Sequence, residues 1–182
     1  MGGMICQNLA ARSPARVASL VSLMSTTGAR SLPSPKGRAY RALLAPPPKP
    51  GETEAAIVRM MKLLRAIGST TYPAEEGYLR ALCERHVRRS FNPPGAARQL
   101  LAIAASGDRT GVVRRIKVPT LVLHGDEDPL LLPKCGEATA KAVREGGGRA
   151  SIAMIRGMGH DLPVEVLPEL AERIAAHCAA HA

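Results

Sequence analysis

Eight residues, VPTLVLHG (118–125), constrain this chain more than any others. The run is apolar on both faces, too short for a typical helix, and broken at once by the turn-forming stretch HGDEDPLLLP (124–133). A strand without a polar face has to be covered on both sides, which is the situation of a parallel sheet between helices. Two further runs of the same kind flank it, RVASLVSLMST (16–26) and SIAMI (151–155). The segments between them carry helical spacing. The order strand, helical stretch, strand, helix, strand, helix predicts an α/β fold with about three parallel strands and flanking helices.

The intervening text is uneven. Met4, Ile5 and Leu9 fall at helical spacing and stop at Ser13-Pro14, so a short first helix precedes the first strand. Residues 28–51 hold SLPSPKG and APPPKPG, whose prolines remove backbone donors and predict a connector. Three amphipathic helices are predicted next, near 53–67, 73–87 and 94–105. The first places Ile57, Met60, Met61, Leu64 and Ile67 on one side. A helix near 133–144 is closed by Gly146 to Gly148. A last one near 163–179 aligns Leu167, Leu170, Ile174 and Cys178.

Composition excludes several classes. With 182 residues the chain suits one domain, and 46% apolar residues argue against disorder. One Phe, three Tyr and no Trp leave the core to Leu, Val, Ile, Met and Ala. Cys6, Cys83, Cys135 and Cys178 show no metal-type spacing. They read as reduced, mostly buried thiols of a cytoplasmic protein, with no metal or cofactor expected. No apolar run approaches the roughly 20 residues that span a bilayer, and the start lacks a signal-peptide pattern, so no membrane role is expected.

The formal charge of +10 invites a nucleic-acid reading. Only Arg88-Arg89 and Arg114-Arg115-Ile116-Lys117 cluster, however, and aromatic side chains for base stacking are nearly absent. A solvated, arginine-rich surface is the preferred reading, with no nucleic-acid partner.

Two loops carry the chemistry. HGDEDPLLLP follows the second strand, and GMGHDLP (157–163) follows the third. Open α/β sheets place their working residues at such strand ends. A carboxylate on one loop and a histidine on the next can meet there. The carboxylate then fixes the imidazole tautomer and leaves the other ring nitrogen free as a base. Singly, each motif is an ordinary loop. His124 reads as a strand end, Asp161 as a loop or helix-start residue, and His86, His177 and His181 have no ligand-type partners.

With MGGMICQ at the front, these motifs resemble the C-terminal portion of an α/β-hydrolase, of the group containing small serine esterases, aclacinomycin-type methylesterases and cofactor-free haloperoxidases. The similarity runs along the whole chain and is weakest over residues 29–110, which resemble the variable cap. The division implied is 1–28, core helix and strand; 29–110, helical cap; 111–182, C-terminal core.

The resemblance implies that Asp128, in the GxxDP pattern, is the triad acid, with Asp126 as its rival, and that His160, in the GxGH pattern, is the triad base. MGG matches the end of the family's GxSxGG nucleophile turn. The serine is therefore expected just before Met1, and the backbone of Met1 takes an oxyanion-hole position. Ser13, Ser19, Ser22 and Ser25 lack flanking glycines and do not replace it.

The expected function is that of a serine ester or lactone hydrolase, truncated and inactive as the isolated chain, with a small ester or lactone as substrate. Haloperoxidase-like and C–C bond hydrolase chemistries use the same triad and stay open. So does a non-catalytic remnant or interaction module. It would dock, or self-associate, through the edge of the 16–26 strand. Met60, Met61, Leu64, Leu79 and Leu82 are either cap core or pocket lining.

Overall fold

The computed structural model describes residues 1–181. Its centre is strand β2 (Thr120–Gly125), all six residues of which are buried. It pairs in parallel with β1 (Leu20–Leu23) on one side and β3 (Ala150–Ile155) on the other, giving a three-stranded sheet of order β1-β2-β3. Thr120 stands opposite both Leu20 and Ala150, so the strands are level at their starts and their following loops emerge side by side.

The two faces of the sheet meet separate cores, since successive strand residues point to opposite sides. On one face Leu20 and Val118 pack with Ala10, Val113, Ile116 and Val143. These come from helices α1 (Gly2–Arg12), α6 (Thr110–Val113) and α7 (Lys134–Glu145), and from the turn after α6. On the other face Leu121, Leu123 and Ile155 pack with Met158, Val166 and Leu170. Leu170 belongs to α8 (Leu167–Ala179). The sheet is thus covered on both sides, which is why every residue of β2 is buried, the polar Thr120 and His124 included.

The expected 16–26 strand is trimmed to four residues. A 3-10 turn at Pro14–Arg16 takes its front, and Met24, at φ 44°, ends it in the left-handed region. Helix α1 is turned differently from the expected stripe: Met4, Gln7 and Ala10 face inward, while Ile5 and Leu9 are exposed. Gly3 explains the rotation. A Cβ there would come 2.6 Å from the Ser25 Cβ, so the helix approaches β1 along its smallest residue and brings Gln7 onto Ser22.

Between β1 and the short α6 stand four helices: α2 (Gly37–Leu44), α3 (Thr53–Ile67), α4 (Glu76–Arg89) and α5 (Pro93–Ser106). They include a core of their own, built on Ala56, Ile57, Met61, Leu79, Cys83 and Val87. Helix α2 lies within the stretch expected as a connector, framed by the two proline-rich segments. Helix α4 begins later than Pro73 because the Glu75 carboxylate caps it, accepting the Gly77 and Tyr78 backbone N–H groups at 2.8 and 2.7 Å. Cys83 and Cys135 are buried, but Cys6 and Cys178 are exposed, so burial holds for half of the cysteines. Among the described residues no helix is long and apolar enough to cross a membrane.

Candidate active site

Because β2 and β3 are parallel neighbours, the acid loop and the histidine loop start together and are sewn to each other. The Asp126 backbone N–H donates to the Ile155 carbonyl at 3.2 Å, and the Glu127 N–H donates to the Met158 carbonyl at 3.1 Å. Gly125 permits this closeness, since a Cβ at that position would overlap the Met158 carbonyl.

Asp128 is 1% exposed. Its Oδ1 accepts the backbone N–H groups of Leu130 and Leu131 at 2.9 and 2.8 Å, a turn that the intervening Pro129 stiffens. Its Oδ2 lies 2.7 Å from Nδ1 of His160. An ionised carboxylate can only accept, so Nδ1 carries the hydrogen and Nε2 is left with its lone pair. The His160 side chain keeps 24% exposure and lines a cleft of about 1100 Å³. Asp126, the rival acid, is engaged elsewhere: its Oδ1 accepts the Gly157 backbone N–H at 2.7 Å. Of the two carboxylates, Asp128 is the one paired with His160.

The cleft lies between the sheet edge and the inserted helices. Met24, Leu64, Leu79 and Leu82 line it, with Leu162 beside His160. Leu64 and Leu79 thus serve both expected roles, since they also belong to or pack against the inserted core, whereas Met61 is buried there. Met1 stands at the front of α1, 44% exposed, its carbonyl accepting the Ile5 N–H. A Cβ on Gly3 would lie 3.8 Å from the Leu23 carbonyl oxygen. The start of α1 therefore sits at the C-terminal end of β1, the same sheet edge from which the acid and histidine loops emerge.

No Gly-x-Ser sequence occurs in the chain. Ser25 is buried against the start of α1, and the Ser69 hydroxyl is bonded to the Gly157 carbonyl. Among the described residues no three His, Cys, Asp or Glu side chains gather in a way that could hold a metal ion.

No family model matches the sequence. Solved structures do. An enol-lactonase from Burkholderia xenovorans LB400 matches at TM-score 0.68 and 22% identity over 98% of this chain and 63% of its own. A meta-cleavage product hydrolase from Pseudomonas fluorescens IP01 matches at TM-score 0.67 and 16% identity, over 98% and 61%. An N-acyl homoserine lactone degrading enzyme matches at TM-score 0.62 and 23% identity, over 96% and 63%. This chain has an α/β-hydrolase fold. It spans less than two thirds of the length of these three hydrolases, and its three-stranded sheet agrees with the C-terminal part of such a fold.

Around this α/β-hydrolase sheet edge, the sequence hid a second layer of contacts from the loop after α3. The His160 backbone N–H donates to the Ile67 carbonyl at 2.8 Å, and the Ser69 N–H donates to Asp161 Oδ1 at 3.0 Å. Glu127 accepts the backbone N–H and hydroxyl of Thr70 at 3.0 and 2.6 Å, and those of Thr71 at 3.1 and 2.5 Å. These bonds hold the Glu127 carboxyl down at about 2, the Thr70 and Thr71 hydroxyls contributing most. Burial pushes the Asp161 carboxyl up, against the opposing pull of the Ser69 and Gly159 N–H groups. The signal for these ties is the polar run GSTTY (68–72) directly after an amphipathic helix.

Proposed function

We propose that this chain carries the acid–base half of a serine-type ester or lactone hydrolase, with His160 as general base, Asp128 as its orienting acid, and the inserted helices at 29–110 as a substrate-covering cap. The observation that supports it is the 2.7 Å contact between a buried carboxylate and the Nδ1 of a histidine whose side chain is still partly open to a cleft. An enol-lactonase and an N-acyl homoserine lactone degrading enzyme share the fold, which favours esters and lactones as the substrate class.

In this reading His160 Nε2 takes the proton of a serine hydroxyl as the oxygen attacks the ester carbonyl. The resulting imidazolium is stabilised by Asp128 and returns the proton to the departing alkoxide. Water then repeats the exchange on the acyl-enzyme and releases the acid. The hydroxyl belongs immediately ahead of Met1, at the start of α1, where the Met1 backbone N–H would face the developing oxyanion. The four cysteines, none in a disulfide, suit a reducing compartment such as the cytoplasm.

The test is hydrolysis of 4-nitrophenyl butyrate and of a simple lactone. Residues 1–182 alone are expected to match the buffer rate, and coding sequence in frame ahead of Met1 is expected to specify Gly-x-Ser. A rate from residues 1–182 that disappears in both His160→Ala and Asp128→Ala would overturn the need for that external hydroxyl.

A second reading, a module that docks or self-associates through its sheet edge, draws on one observation. β1 pairs with β2 alone among the described residues, and Met1, Ile5 and Leu9 are exposed on the helix beside it.

A further inference from the structure

The acid loop contains a second imidazole. His124 is fully buried, four residues before Asp128, on the face of β2 that α7 covers. Gly136 of α7 presses on the ring, where a Cβ would come 2.7 Å from Nδ1. The His124 Nε2 lies 2.6 Å from the Leu131 carbonyl oxygen and 3.5 Å from Asp128 Oδ2. A carbonyl oxygen only accepts, so Nε2 carries the hydrogen.

The other ring nitrogen, Nδ1, has no hydrogen-bond partner. A proton placed there would be buried and unsatisfied, and burial correspondingly lowers the basicity of the ring. The charged groups facing it are Asp128 and Glu137, which favour protonation, and His160, which opposes it. His124 is therefore a neutral donor with one hydrogen, aimed at the loop that holds the acid.

Both backbone groups of Leu131 are used by this arrangement. Its N–H donates to Asp128 Oδ1 at 2.8 Å, and its carbonyl accepts from His124. The two bonds engage the peptides on either side of the Leu131 Cα, so removing the second loosens the residue whose N–H, beside that of Leu130, orients the carboxylate. We infer that His124 is a positioning residue: by holding the Leu131 carbonyl it keeps Asp128 Oδ2 directed at His160 Nδ1, and so fixes the tautomer of the base. This rests on the reading of His160 as base and Asp128 as its orienting acid.

The tautomer can be read without any catalysis, by long-range proton–nitrogen correlation NMR of the nitrogen-15-labelled chain at a pH where its histidines are neutral. In the unaltered chain His160 is expected to be wholly Nδ1–H. In His124→Phe it shifts to a mixture with a large Nε2–H fraction, as in free imidazole. In His124→Gln, whose amide nitrogen reaches the position of Nε2, the Nδ1–H form returns. Should the Phe variant not fold, His124→Asn serves in its place, because its amide stops short of Leu131.

A folded Phe or Asn variant in which His160 stays wholly Nδ1–H overturns the role of His124 and leaves the base assignment standing. So does a Gln variant that behaves like the Phe variant. An Nε2–H form already dominant in the unaltered chain overturns the pairing of Asp128 with His160 itself.

Discussion

The Asp161 carboxylate accepts the Ser69 backbone N–H at 3.0 Å, joining the residue after the candidate base to a loop 92 positions earlier in the chain. Burial raises the Asp161 pKa above its ordinary value of 3.8. For a carboxyl shifted upward in the fold, the stabilising contribution is complete below that ordinary value and is lost as pH rises through the folded one. Ionised Asp161 therefore burdens the fold at neutral pH. Asp161→Asn keeps an acceptor for Ser69 without the charge. Thermal melts should show the variant gaining on the unaltered chain between pH 4 and pH 7, with a margin that widens as pH rises. A margin that moves the other way would contradict this account.

Glu127 behaves oppositely. Its pKa falls from 4.5 to about 2 because Thr70 and Thr71 donate to it. The stabilisation is present above the ordinary value and disappears as pH falls through the folded one. Amide exchange at Thr70 and Thr71, corrected for intrinsic rates, is expected to accelerate as pH drops from 4.5 toward 2. In Glu127→Gln it should already be fast at pH 6. Protection that is unchanged in the Gln variant would mean that the carboxylate does not hold this loop.

A third prediction concerns Gln7, which is fully buried and donates from Nε2 to the Ser22 hydroxyl at 3.1 Å. Ser22→Ala strands that donor and should lower the unfolding free energy by about 1–3 kcal/mol in urea titration. Gln7→Met combined with Ser22→Ala removes both polar groups at similar volume. The pair is expected to recover most of the loss. Additive losses in the double variant would show that the two side chains are not coupled.

The β1 edge gives the fourth. Val21 is partly buried on a strand with one partner among the described residues, and a lysine there discourages further pairing. If the edge drives self-association, size-exclusion chromatography of the unaltered chain shows concentration-dependent larger species that Val21→Lys reduces. A single monomeric peak at all concentrations would remove the docking reading.

The parts of the fold that were legible in the sequence are those with one dominant signal. Strand β2 was expected at 118–125 and runs Thr120–Gly125. Helix α3 was expected at 53–67 and runs Thr53–Ile67. Uninterrupted apolar runs and clean helical spacing survive any packing arrangement. The facing of α1 did not follow its apolar residues, because Gly3 allows a closer approach than Ile5 or Leu9 would. Backbone contact outweighed side-chain hydrophobicity there.

The site divides in the same way. The two loops stood out because each follows a strand, whereas Asp128 and His160 were singled out within them by the resemblance to α/β-hydrolases; the two lie together, with Asp126 set aside. His124 and the polar residues at 69–71 did not stand out. Their partners lie in other loops or on carbonyl oxygens, and nothing in a local pattern reveals a carbonyl as an acceptor.

The Ile67 carbonyl accepts the His160 N–H, so the helix that roofs the cleft ends on the very peptide that presents the imidazole. A shift of that helix away from the sheet edge would slacken the imidazole's own mooring.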